Sequence, residues 1–148
     1  MFTKEEKKII TQAKKILKGR ISQQPYLENP DSVRDFLQLQ FAALEHEIFS
    51  VLFLNNRHQL IIMKEMFRGT IDGASVYPRE VVKEALKRNA AAVIFSHNHP
   101  SGDNTPSQAD RRITERLKNA LELVDVRVLD HVVVSIKGTV SFAEQGHL

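Results

Sequence analysis

Cysteine is absent from this sequence of 148 residues. Its absence excludes disulfide bonds and every metal site built from thiolates, so any bound metal must be held by nitrogen and oxygen ligands. It also excludes the zinc site of nucleobase deaminases, which requires a Cys-x-x-Cys pair. The length is sufficient for one ordinary domain with a hydrophobic core of its own.

Long apolar runs are absent as well. No segment approaches the roughly 20 apolar residues that a bilayer-spanning helix requires, and the N-terminus lacks the apolar core of a signal peptide. Internal repeats and low-complexity segments are also missing. These features predict a soluble cytoplasmic protein that has no membrane partner.

Charge is distributed unevenly along the chain. Residues 1–20 hold seven Lys or Arg residues and two Glu residues, whereas the remainder has 14 basic and 16 acidic side chains. The net charge of +3 therefore originates in the N-terminal segment. Such a segment is typical of a solvated helix face, and it is also compatible with binding to phosphates or to an acidic partner.

Residues 3–18 are predicted to form this basic helix. Thr3 and Glu6 have the spacing of a capping box, and Gly19 suits the C-terminal end of the helix. The apolar residues on one stripe, which we expect to be buried, are Ile9, Ile10, Ala13, Ile16 and Leu17. We therefore expect a basic helix and connector over residues 1–30 and a single domain over residues 31–148.

Strands and helices alternate through the remainder of the chain. Residues 47–54 are apolar on both alternating faces, which predicts a strand in the middle of a sheet covered on both sides. Pro78 suits the first position of a helix, in which we expect Val81, Val82, Ala85 and Leu86 to be buried. The predicted helices are 31–44, 78–89 and 107–123, the strands are 47–54, 59–66, 90–95, 126–129, 131–136 and 140–142, and residues 69–75 form a loop. This order predicts an α/β (α+β) fold with a mixed sheet flanked by helices.

The segment 96–110 carries the most specific functional signal. His97 and His99 follow the predicted strand and are two residues apart, so in extended backbone both imidazoles project from the same face. A loop containing Gly and Pro leads to Ser107 and Asp110, whose spacing predicts a helix start with a carboxylate in its first turn. Two imidazoles and one carboxylate that face each other form a three-ligand metal site with room for water.

This pattern, His97-x-His99 followed after seven residues by Ser107 and after two more by Asp110, resembles the JAMM motif of the MPN metalloprotease superfamily. The resemblance extends from residue 31 to the C-terminus and implies the MPN fold, whose architecture is similar to that of cytidine deaminases. Segments similar to the RadC branch of the superfamily are Phe67-Arg68-Gly69-Thr70, Pro78-Arg79-Glu80-Val81, Asn89-Ala90-Ala91-Ala92, His97-Asn98-His99-Pro100-Ser101-Gly102 and Leu129-Asp130-His131.

The resemblance implies one metal ion per chain, held by His97, His99 and Asp110, with a water molecule in the fourth position. Zinc suits this nitrogen and oxygen set best. The activity implied is hydrolysis of a peptide or isopeptide bond, with Ser107 stabilising the oxyanion of the intermediate. The Ser107 hydroxyl is also expected to cap its helix, in competition with that role. Asp103 is a rival metal ligand in the loop.

The resemblance also implies a glutamate general base just before the first apolar strand. Glu47 matches this context, with Ser50 at a position where glycine is usual, and it is our choice for the base. Glu65, near the end of the next strand, is the second choice. The other acidic candidates are Glu45, Glu80 and Asp103.

The remaining histidines are assigned simpler roles. His131 is expected to be structural or to orient a metal ligand, and His46, His58 and His147 are expected on the surface. Two alternative functions stay open: a module associated with nucleic acid, because RadC is linked by name to DNA repair, and a non-catalytic scaffold. RadC-like proteins usually carry a helix-hairpin-helix segment before the MPN domain, and residues 1–30 lack its Gly-x-Gly pattern, which weakens the nucleic-acid alternative.

Overall fold

A five-stranded mixed sheet forms the centre of the structure, a computed structural model that describes residues 2–41, 44–69 and 76–148. Across the sheet the order is β2-β1-β3-β4-β5, with β1 antiparallel to β2 and β3, β3 parallel to β4, and β4 antiparallel to β5. The strands are β1 (Ile48–Leu54), β2 (Leu60–Arg68), β3 (Ala92–Asn98), β4 (Arg127–Ser135) and β5 (Gly138–Ser141). The predicted mixed sheet is confirmed.

In the described residues, four α-helices cover the two faces of this sheet. They are α1 (Lys4–Gln23), α2 (Pro30–Phe41), α3 (Pro78–Lys87) and α4 (Gln108–Glu122), and a short 3₁₀ turn, Tyr26–Glu28, joins α1 to α2. The first two helices pack on one face, and α3 and α4 pack on the other. No helix in the described part of the chain is long and apolar enough to cross a membrane.

Strand β1 is buried on both faces, as its sequence predicts. Ile48, Leu52 and Leu54 join the core beneath α1 and α2, whereas alternate residues, Phe49 among them, join the core beneath α3 and α4. Strand β3 is buried along its whole length in the same way. A strand that is apolar on both sides can only be accommodated between two helical layers, which places β1 and β3 in the interior of the sheet.

Helix α1 begins where its capping box predicts but continues past its predicted end. Thr3 Oγ1 accepts a hydrogen bond from the backbone N–H of Glu6 at 3.1 Å, whereas the helix ends at Gln23, so Gly19 lies inside it. The cause is tertiary packing, because Ile21 in the last turn is 3 % exposed and anchors the helix to the core. Burial of one large apolar side chain outweighs the roughly 1 kcal/mol helix penalty of a glycine.

Several burial and boundary predictions require correction. Ile9 and Ile16 of α1 are 59 % and 62 % exposed, and Leu86 of α3 is 57 % exposed, so all three lie outside the core. The strands predicted at 126–129 and 131–136 form one continuous strand, β4. The predicted helix 31–44 ends at Phe41 in α2. Residues 42–43, and the predicted loop 69–75 apart from Gly69, fall outside the described residues.

Candidate metal centre

His97 is the second-last residue of the sheet's central strand, β3, which continues past the predicted end at residue 95, and its side chain is completely buried. It is aligned with Phe49 of β1 on one side and with Val133 of β4 on the other. Phe95, two residues earlier on β3, belongs to the core beneath α3 and α4. Because alternate residues of a strand share a face, the His97 imidazole also points towards α4.

His99 directly follows the strand and is fixed by its backbone. Its N–H donates to Val134 O at 2.8 Å, which extends the pairing with β4 by one residue. Its imidazole Nδ1 lies 2.7 Å from the backbone carbonyl oxygen of Asp103. Since a carbonyl only accepts, Nδ1 must carry a proton, so the Nε2 atom of His99 holds a lone pair when the ring is neutral.

Asp110 is brought to the same point by the start of α4. Ser107 is the N-cap residue, and its Oγ accepts from the Asp110 N–H at 3.0 Å, while Asp110 Oδ2 accepts from the Ser107 N–H at 2.8 Å. The capping box predicted from the sequence is therefore confirmed. Capping uses only a lone pair of the Ser107 oxygen, so the hydroxyl hydrogen stays available and the expected competition between its two roles does not arise.

The donor atoms of the three side chains converge. His97 Nε2 lies 2.9 Å from His99 Nε2 and 3.3 Å from Asp110 Oδ1, and His99 Nε2 lies 3.3 Å from Asp110 Oδ2. Four tetrahedral ligands at about 2.0–2.1 Å from a metal ion are separated from each other by about 3.3 Å. His97, His99 and Asp110 can therefore hold a metal ion with only small adjustments.

A buried relay fixes the proton on His97. Thr114 Oγ1 lies 2.7 Å from Asp110 O and 2.6 Å from His131 Nδ1. The carbonyl oxygen can only accept, so the single hydroxyl hydrogen of Thr114 goes to it, and His131 Nδ1–H must donate to Thr114. Complete burial lowers the pKa of His131 well below its ordinary value. His131 is therefore neutral, and its Nε2 accepts from His97 Nδ1–H at 2.7 Å.

With one proton on each imidazole, acceptors alone face each other at the donor cluster. His97 and His99 then both present unprotonated Nε2 atoms opposite the two oxygens of Asp110. Burial by itself would raise the pKa of Asp110, but the contacts with His97, His99 and the Ser107 amide outweigh it and lower that pKa, while the contact with Asp110 raises the pKa of His99. Both shifts favour positive charge between these side chains, and a metal ion would supply that charge with the lone pairs as its ligands.

Glu47 stands at the entry to β1, near His99. The contact with Asp110 is the main cause that raises the pKa of His99, and the charge of Glu47 adds to it. The position of Glu47 is set by Asn98, the residue between the two histidines. Asn98 Oδ1 accepts from the Ile48 N–H at 2.7 Å, and Asn98 Nδ2 donates to His46 O at 2.9 Å. Both backbone groups next to Glu47 are thus tied to the strand that carries the histidines.

Two of the other acidic candidates, Glu65 and Asp103, are directed elsewhere. Glu65 is paired with Ser50 across β1 and β2, and its carboxylate contacts Arg68 at 2.9 Å. Directly opposed residues share a face of the sheet, and both line a cleft beneath α1 and α2, on the face opposite His97. Asp103 contacts His99 through its backbone carbonyl, and its carboxylate accepts from the Thr105 N–H.

Comparison with known proteins shows the family of the chain. The family described as the RadC-like JAB domain matches residues 27–147. The chain belongs to this family. A UPF0758 protein from Vibrio cholerae is 60 % identical over 143 residues, which cover 97 % of this chain and 90 % of the relative. A second UPF0758 protein, from Methylibium petroleiphilum, is 57 % identical over 92 % of this chain, and the match covers 61 % of that relative's length.

Two residues of the candidate metal centre, Thr114 and Asn98, were not predicted from the sequence. Thr114 carries a usable signal, because it lies four residues after Asp110 and therefore on the same face of the helix. Asn98 carries a weaker one, as the middle residue of the His-x-His pair. His131 was expected to be structural or to orient a ligand, and the structure places it directly against His97.

Replacing His131 with phenylalanine is expected to lower metal affinity about 10–100-fold, the usual cost of losing a hydrogen-bond partner of a metal ligand. Phenylalanine keeps the stacking on Phe142, whose ring centroid lies 4.5 Å away, but offers no acceptor to His97. Titration against a competing chelator measures the change. His147→Phe is the matched control, because His147 also contacts the Phe142 ring. An affinity for His131→Phe equal to that of the control would contradict the relay.

Proposed function

We propose that this RadC-like chain is a zinc-dependent hydrolase of amide bonds, a peptidase or an isopeptidase. The observation that carries the proposal is the convergence of two lone-pair imidazole nitrogens and one carboxylate at tetrahedral spacing. Three protein ligands with an open fourth position are typical of catalytic rather than structural zinc. Family membership supports the same superfamily of metallohydrolases.

Metal binding, proton transfer and stabilisation of the oxyanion are carried out by different residues of the chain. His97, His99 and Asp110 would hold the zinc ion, which when bound lowers the pKa of water from about 15.7 towards about 7 and polarises the substrate carbonyl. Glu47 accepts a proton from the attacking water and passes it to the leaving amine. Ser107 donates its hydroxyl hydrogen to the oxygen on which negative charge develops, while its lone pair continues to cap α4.

Metal content tests this proposal. Native protein purified without chelator is expected to contain about one zinc ion per chain, and His97→Ala to contain none, because one of only three protein ligands is lost. Elemental analysis of both proteins gives the ratio. His58→Ala is the control, since His58 contacts Arg127 instead of the donor cluster. A native chain that stays free of zinc after zinc is supplied at neutral pH would contradict the proposal.

The alternative is a non-catalytic module that associates with nucleic acid or serves as a scaffold. One observation favours an anionic ligand: Lys14, Lys15 and Lys18 of α1 border a cleft of about 400 Å³ on the sheet face opposite His97. Phosphate binding by such lysines needs no metal. The zinc measurement therefore separates the two functions, because a metal-free native chain is expected only for the alternative.

A further inference from the structure

A second cleft, of about 420 Å³, opens beside His99 between α2 and the β4–β5 turn. Its apolar walls are Phe41, Leu44, Pro100, Val134 and Ile136. His99 belongs both to this cleft and to the donor cluster. A molecule bound at the candidate metal would therefore lie next to an apolar cleft, and clefts of this size are typical of small-molecule sites.

Several polar groups of the cleft already have partners within the protein. Gln38 Nε2 donates to Ser135 O at 3.2 Å, and Ser135 Oγ accepts from the Lys137 N–H at 3.1 Å. Both ends of the Asn98 amide are held by the backbone on either side of Glu47. An apolar ligand group gains from burial against the apolar walls that remain.

The charged residues that line the cleft also favour an apolar ligand group. Among the described residues that line the cleft there is no lysine or arginine, and its only acidic residue, Glu45, is exposed. An acidic ligand group would therefore find no counter-charge and would be repelled by Glu45. The cleft selects for apolar groups and against acidic ones.

Ile136 extends the apolar surface out of the cleft. It lies at the turn between β4 and β5 and is 89 % exposed. Its Cγ2 atom would lie 3.6 Å from a Cβ atom built on Gly102, so it stands over the loop that connects His99 to α4. An exposed isoleucine alone is ordinary, but one that continues an apolar cleft next to a metal centre offers a contact for a ligand.

We propose that this cleft receives the apolar side chain next to the carbonyl that is bound at the donor cluster, so that the substrates are peptides or isopeptides with a leucine-like residue at the cleaved bond. This inference rests on the proposed zinc hydrolase function. The residues that line the cleft determine the specificity of the site. Phe41, Leu44 and Ile136 contact the apolar side chain of the substrate, and Glu45 excludes acidic residues.

Two hydroxamates test the inference by binding alone. N-acetyl-leucine hydroxamate and N-acetyl-glycine hydroxamate carry the same metal-binding group and differ only in the isobutyl side chain. Zinc-loaded protein is expected to bind the leucine compound at least about tenfold more tightly, as measured by calorimetry, because an isobutyl group is buried in one case only. Ile136→Asp is expected to bring this ratio close to one.

Leu123→Asp is the matched control, because Leu123 is 87 % exposed at the far end of α4 and lines no part of the cleft. It is expected to keep the native ratio. Equal binding of the two hydroxamates by native protein, or a ratio unchanged in Ile136→Asp, would overturn the cleft inference while leaving the metal centre intact. Failure of both hydroxamates to bind zinc-loaded protein would overturn the proposed function itself, and the cleft inference with it.

Discussion

Glu47→Gln is expected to retain zinc and to lower amide hydrolysis about 10²–10⁴-fold, the usual contribution of a general base. Glutamine has the shape of glutamate but does not accept a proton at neutral pH. The backbone on either side of Glu47 is held by Asn98, so the substitution leaves its position unchanged. The donor cluster consists of other residues, and metal content should therefore equal that of the native chain.

Glu65→Gln is the matched control for this experiment. Glu65 is the second candidate for the base from the sequence, but it lies on the face of the sheet opposite His97. Its substitution should therefore leave hydrolysis unchanged. Cleavage of a library of capped peptides by zinc-loaded protein, followed by mass spectrometry, measures all three chains. An equal loss in both variants, or no loss in Glu47→Gln, would contradict the specific role assigned to Glu47. A native chain that cleaves nothing would contradict the hydrolase proposal.

Local patterns in the sequence were sufficient to predict much of the candidate site. The spacing of Ser107 and Asp110 predicts a helix start, and the structure contains both hydrogen bonds of the capping box. The alternation of apolar residues at 47–54 predicts an interior strand, which β1 is. Each of these signals depends on residues within one element, where backbone periodicity alone fixes which side chains share a face.

Contacts between elements that are distant in the sequence could not be predicted from such local patterns. His131 and His97 lie 34 residues apart and touch only because β3 and β4 are parallel neighbours. The pairing shifts register between Val93 and Ile94, which leaves Leu129 as an extra residue of β4. A bulge of this kind exchanges the faces to which the following residues point. A single sequence does not reveal which strand is the neighbour or where the register shifts.

The face of Glu65 could not be predicted for the same reason. The β1–β2 pairing shifts register between Phe49 and Ser50, so counting alternate residues along β2 does not give the face. The end of α1 depends likewise on a tertiary contact, the burial of Ile21, which overrides the local preference of Gly19. Helix ends and strand faces are uncertain from sequence wherever packing and propensity conflict.

Asp130→Ala is expected to lower the free energy of unfolding by about 3–5 kcal/mol, since several buried donors lose their acceptor at about 1–3 kcal/mol each with partial relaxation. Asp130 is 1 % exposed. Its Oδ2 accepts from Tyr26 Oη at 2.7 Å and from Ser141 Oγ at 2.6 Å. Its Oδ1 accepts from the N–H groups of His131 at 2.7 Å and Ala143 at 3.0 Å.

This one carboxylate joins the 3₁₀ turn after α1 to β4, β5 and the residues that follow. Burial and the nearby Asp130 charge raise the pKa of Tyr26, so its hydroxyl stays protonated and donates. The bulge at Leu129 allows Asp130 to face this network. His131, the next residue, points to the opposite face of the sheet, where it contacts His97. Stability and metal-ligand orientation are therefore carried by adjacent residues of β4.

Asp130→Asn distinguishes this network from simple loss of volume. The amide oxygen can still accept from the two backbone N–H groups, and its NH₂ group can donate to the hydroxyl oxygens of Tyr26 and Ser141 once these rotate. We expect this variant to lose less than about 2 kcal/mol. Urea unfolding of metal-free protein measures both variants against the native chain. If Asp130→Ala unfolds at the same urea concentration as the native chain, the hydrogen bonds to the carboxylate do not contribute to stability, and the role assigned to Asp130 is wrong.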